Sequence, residues 1–85
     1  MIKNLIRDKI NALGFVNTQD RDTFFSYEKY NTKYSCTQVV CLHTFDNKRY
    51  DILSYRKDTD NDGVNIELPL TLYERLLFNL LATIK

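Results

Sequence analysis

Eighty-five residues carrying 44% hydrophobic and 27% charged side chains, one Pro and two Gly exclude a disordered or low-complexity chain and leave room for one domain, not two. A formal net charge of +1, from twelve basic and eleven acidic residues, excludes a strongly basic nucleic-acid binder and an acidic DNA mimic on charge alone. No apolar run is long enough for a signal-peptide core or a membrane span, so the expected setting is the cytoplasm, without membrane contact.

The first element is a helix over residues 2–13. Ile2, Leu5, Ile6, Ile10 and Leu13 recur at helical spacing on one face, while Lys3, Arg7, Asp8 and Asn11 take the other. Gly14 stands where a left-handed C-terminal cap is needed, and Phe15 and Val16 lead back to the core. Residues 17–22 read as a polar connection. The aromatic-rich segment 23–30 predicts a first strand, Asn31, Thr32 and Lys33 a turn, and 34–45 a second, longest and most apolar strand. Residues 46–49 predict another hairpin turn, 50–57 a third strand, 58–63 a loop and 64–68 a short fourth strand. A second helix follows over 70–84. Thr71 is its N-cap, with Glu74 three residues on to complete a capping box, and Leu72, Tyr73, Leu76, Leu77, Leu80, Leu81 and Ile84 form a wide apolar stripe.

The fold class is therefore α+β: a single domain over 1–85, ordered α-β-β-β-β-α, with a four-stranded antiparallel meander and both helices on one face in two layers. Alternation gives every central strand apolar groups on both faces. Phe24 opposes Phe25 and Tyr27, Val40 and Leu42 oppose Val39, Cys41 and Phe45, and Ile52 opposes Leu53 and Tyr55. Two helices cover one face only, so the other is expected to seek cover from a protein partner or a second copy of the chain, as a homodimer. Phe25, Tyr27, Tyr30 and Tyr55 are the expected contact residues.

Catalytic signals are sparse. Cys36 and Cys41, five residues apart on one strand, point to opposite faces and predict two unpaired thiols. His43, the one histidine, shares a face with Cys41 but has no visible third group to orient it, so a hydrogen-bonded structural histidine is expected. With glycine only at 14 and 63 there is no phosphate-binding loop, and no CxxC, HExxH or GxSxG motif occurs. No enzyme and no cofactor are expected. Asp58, Asp60 and Asp62, followed by Gly63, match the first half of a calcium loop, but Ile66 and Pro69 occupy its ninth and twelfth positions, so only a weak calcium module could be built there.

Lys29, Lys33, Arg56 and Lys57 are expected at one end of the sheet, and give an alternative reading as a nucleic-acid-binding rim. The helix–strand–strand–strand–helix order resembles a double-stranded-RNA-binding domain, a family that reads RNA by shape with basic groups near the start of its last helix. Here 69–75 reads Pro69, Leu70, Thr71, Leu72, Tyr73, Glu74, Arg75, one acid and one base, so the resemblance stops at element order and no family is assigned. The reading that best fits the sequence is a small non-enzymatic protein-interaction module. Its compact, motif-free style is shared by many inhibitors and accessory proteins of phages and mobile elements.

Overall fold

The computed structural model describes residues 2–46, 48–57 and 66–84. Helix α1 spans Ile2–Ala12 and buries Ile6 and Ile10. It ends on tightened hydrogen bonds, with the Leu13 amide donating to Ile10 O at 3.1 Å and the Gly14 amide to Asn11 O at 2.9 Å. Gly14 has φ +97°, and a Cβ there would meet only the Lys29 Cβ at 4.0 Å. Backbone conformation rather than crowding therefore calls for glycine.

The chain then enters a strand where a polar connection was expected. Strands β1 (Val16–Asp20), β2 (Phe24–Asn31), β3 (Cys36–His43) and β4 (Asp51–Arg56) form one antiparallel sheet in the order β1-β2-β3-β4, the four named strands among the described residues. The expected four-stranded meander is present, but its first strand is 16–20. Hydrophobic alternation misses β1 because all five of its residues are exposed at the sheet edge. Polar contacts hold it instead: Asn17 Nδ2 donates to Ser26 O at 3.0 Å, and the Thr18 and Ser26 hydroxyls lie 2.7 Å apart. The register steps between Asn17 and Gln19, leaving Thr18 in a bulge. A bulged, polar edge is a poor template for further strand addition.

The segment expected as a fourth strand, 64–68, has its first two residues outside the described set. The remainder flanks β4 through a single bridge, Tyr55 to Glu67, with the Arg56 amide on Ile66 O and the Leu68 amide on Ser54 O. Two turns are organised by side-chain oxygens. Asn31 Oδ1 accepts the Lys33 and Tyr34 amides, which extends the β2–β3 turn to Ser35 (φ 53°) and delays β3 to Cys36. Asp46 Oδ1 accepts the Lys48 and Arg49 amides at 2.9 and 3.1 Å, which ends β3 at His43 rather than Phe45.

Helix α2 spans Leu72–Ile84. The capping box is formed: Thr71 N donates to Glu74 Oε1 at 2.9 Å, and Glu74 N to Thr71 Oγ1 at 3.1 Å. Both helices lie on the sheet face that carries Phe25, Tyr27, Val40 and Leu42, closing a core with Ile6, Ile10, Phe15, Leu77, Phe78 and Leu81. Phe78 sits at its centre, edge-on to Phe15 at 5.2 Å and to Tyr27 at 5.6 Å. Beneath the start of α2 a polar ladder crosses the same face, from Asn31 Nδ2 to Gln38 Oε1 and from Gln38 Nε2 to Ser54 Oγ, so that the fully buried Gln38 amide is paired at both ends.

Candidate functional site

The sheet face away from the helices is open. Its cross-strand rows follow from the register: Phe24, His43 and Asp51; Ser26, Cys41 and Leu53; Glu28, Val39 and Tyr55; then Tyr30 beside Thr37. Ser26, Val39 and Cys41 are small and buried, forming a bed that the larger neighbours overhang. Tyr30, Phe45 and Leu53 stand exposed around it, Phe45 at 85% of its surface. At one corner the His43 ring packs edge-on to Phe45 at 4.4 Å and to Phe24 at 6.1 Å. At the other, Lys57 Nζ pairs with Glu28 Oε1 at 3.2 Å and supplies a charged rim.

The bed is chemically quiet. Cys41 Sγ and Tyr55 Oη are hydrogen-bonded at 3.4 Å. Burial pushes the Cys41 thiol up, against the lowering effect of the Tyr55 hydrogen bond and with the Glu28 charge adding to it. Tyr55 is pushed up to about 12, first by the hydrogen bond to Cys41, then by burial and the nearby Cys41 and Glu28. At neutral pH both are protonated, so Cys41 lacks the lowered pKa of an activated nucleophile. His43 is held between two aromatic rings on the same face. The arrangement offers contact area, aromatic edges and a polar rim, which are the materials of a protein-binding surface.

Of the four residues expected to make that contact, the structure brings two together. Tyr30 and Tyr55 lie on the open face. Phe25 and Tyr27 lie on the opposite one, each 2% exposed in the core beneath the helices. Their place as surface contacts is corrected by burial. Alternation in β2 carried the signal: Phe25 and Tyr27 alternate with Ser26 and Glu28, so the more apolar parity faces the helices. Phe45, Leu53 and the His43–Phe24 corner lie on the open face instead, where Leu53 shares its parity with Tyr55.

The four bases do gather at one end of the sheet but divide between its faces. Lys29 and Arg56 flank Gln38 on the helix side, while Lys57 lies on the open side with Glu28. Lys29 is drawn inward, with Nζ 2.8 Å from Glu74 Oε2 and 4.5 Å from the centroid of the Phe15 ring. Lys33 lies over Tyr34 at 5.5 Å. They do not form one continuous patch. The weak calcium positions Asp58, Asp60 and Asp62 lie outside the described residues; among the described residues, no cluster of His, Cys, Asp and Glu is arranged to hold a metal. Cys36 and Cys41 are unpaired and buried on opposite faces, as their spacing predicts.

Two grooves flank the start of α2. Ile52, Ser54, Leu68 and Arg75 line one, and Lys29, Tyr34 and Glu74 the other, each of about 290 Å³. Both are slightly smaller than the ~300–1,000 Å³ usual for small-molecule sites. Among the described residues no helix is long and apolar enough to cross a membrane. Comparison with known proteins finds no family model, no curated protein and no solved structure that matches this chain.

Proposed function

We propose that the chain is a small, non-enzymatic protein-interaction module that docks a partner on the open face of its sheet. One observation carries this reading: the helices cover one side of the sheet, and the other presents Tyr30, Phe45 and Leu53 around the buried bed of Val39 and Cys41. Exposed aromatic and aliphatic groups over a flat, hydrogen-bonded support bury well at low entropic cost, because the sheet is already ordered. Tyr55 and Tyr30 combine apolar rings with hydroxyls that suit a partly wet interface. The Glu28–Lys57 pair and Asp51 form a polar margin. Pairing of Lys29 with Glu74 and of Lys57 with Glu28 weighs against the basic rim as a phosphate-binding surface, since those acids already neutralise both lysines.

The test is paired affinity capture with the wild-type chain and the Leu53→Lys and Phe45→Ser variants, with and without nuclease. A stoichiometric protein held by wild type, resistant to nuclease and lost from both variants, is the expected result. Retention by both variants with undiminished affinity, or loss of all prey on nuclease treatment, overturns the reading.

A further inference from the structure

We propose that a second copy of this chain docks across the outer seam between α1 and α2, giving a two-fold dimer with the helix layers face to face. The outer surface of α2 is not built for water. Leu72 is 88% exposed and Leu76 54%, with Tyr73 and Leu80 also open, and Arg75 is the single charge among the exposed residues of the helix. A solvated helix face normally carries charges at i, i+4 spacing. On α1, Ile2 and Leu5 are exposed as well.

These residues share one seam. Arg7 reaches Asp20, so its flank of α1 faces β1. At 100° per residue, Ile2 and Leu5 lie about 140–160° round the helix from Arg7, on the flank away from β1. Arg75 lines the groove beside Ile52 and Ser54 of β4. Tyr73, Leu76 and Leu80 lie about 100–160° round from it, on the flank away from β4. The two helices pack directly on each other between these limits, so both apolar flanks border the same line. Phe15, just beyond α1, packs on Phe78 at the middle of α2 and under Lys29, which pairs with Glu74 in the first turn of α2, so the C-terminal end of α1 lies towards the N-terminal end of α2 and the two helices run antiparallel along the seam.

The occupant follows from size and charge. From their fractional exposures, Ile2, Leu5, Leu72, Tyr73, Leu76 and Leu80 present roughly 700 Å² per protomer, close to the ~800 Å² per partner of a standard interface. In a two-fold interface the patch meets itself, so a charge at its centre would meet its own like. On α1, Lys9 follows Leu5 by four residues and shares its flank, with Asp8 beside it; the two are of opposite sign, so across a two-fold axis each can face the other's counterpart. Ridges of leucine on two helix pairs interdigitate in the manner of a helix bundle. The dimer is a sheet–helix–helix–sheet sandwich with both open sheet faces still outward.

Light scattering and sedimentation on the full chain test this. The wild type is expected at about twice its 10.1 kDa protomer mass at tens of micromolar, with Leu76→Glu and, separately, Leu72→Lys at the protomer mass and with unchanged circular dichroism. Leu72→Lys changes a side chain that contributes almost nothing to the protomer's core, so it decides the matter if Leu76→Glu folds poorly. A wild type at protomer mass up to millimolar concentration overturns the proposal. So does a dimer that survives Leu72→Lys, or one dispersed by Leu53→Lys instead, which would place self-association on the open sheet face. Because Leu53 and Leu72 lie on opposite sides of the molecule, failure here is distinguishable from failure of partner capture.

Discussion

Lys29 Nζ and Glu74 Oε2 are 2.8 Å apart, joining the middle of β2 to the first turn of α2. The same carboxylate accepts the Thr71 amide through its other oxygen, and the same ammonium lies 4.5 Å from the Phe15 ring centroid. Helix cap, sheet and aromatic plug therefore meet at one pair, whose side chains are only 17% and 9% exposed. Removing Lys29 leaves a largely buried carboxylate without its cation. Lys29→Met is expected to cost about 3 kcal/mol in urea unfolding. Glu74→Gln, which keeps a neutral acceptor for Thr71, is expected to cost less. Equal losses would show that the ion pair is not the dominant contact.

The same pair sets an acid limit. Burial tends to raise the Glu74 pKa, but the Lys29 hydrogen bond, the Thr71 amide and the Lys29 charge outweigh it and hold the carboxyl below its usual range. A depressed folded-state pKa contributes stability that is full above the unfolded value of about 4.3 and is lost as pH falls through the lower folded value. The urea midpoint is expected to drop on acidification below about pH 4.3, and to drop less in Glu74→Gln. Parallel curves for the two proteins would assign the acid sensitivity to other carboxylates.

Gly14→Ala isolates a backbone effect. With φ at +97° and the nearest foreign atom 4.0 Å from the new Cβ, the added methyl meets strain rather than a clash. The expected loss is about 1–2 kcal/mol, read as a lower melting temperature with unchanged secondary structure. No change in melting would mean that the turn relaxes to accept a side chain.

Cys41 and Tyr55 make a spectroscopic prediction. In an alkaline absorbance titration Tyr55 is expected to ionise at about 12, and Tyr55→Phe to reduce the absorbance change at that pH. Because its folded pKa is raised, Tyr55 contributes stability that is present below its unfolded value of about 10 and lost as pH rises through the folded one. Thiol reagents at neutral pH are expected to modify Cys41 slowly in the folded protein and quickly in urea. Rapid labelling of the folded chain would show that the bed is open.

Where hydrophobic period and local chemistry agree, the fold is legible from the residues alone. The helical spacing of Ile6 with Ile10 and of Leu77 with Leu81 marks both helices, Gly14 the end of α1 and the Thr71–Glu74 box the start of α2. The apolar centres of β2, β3 and β4 mark the strands. Strand β1 is not legible because Asn17, Thr18, Gln19 and Asp20 owe their place to hydrogen bonds with β2 and to Arg7, contacts that exist only after folding. Alternation alone does not say which parity of β2 the helices cover, so the sequence groups Phe25 and Tyr27 with Tyr30 and Tyr55, although the first two are buried in the core. Lys29 reads as a surface base from sequence, since its acid partner is 45 residues away.

The open sheet face and the exposed leucines of α2 lie on opposite outer surfaces of one thin, two-layer body. A ligand on one cannot sterically obstruct the other. Pairing through the helices, together with docking on the open sheet face as proposed, would give a bivalent binder whose two sites face away from each other at a fixed separation. Such a geometry favours targets that repeat, where the second engagement is intramolecular and its strength is set by spacing rather than by any new contact.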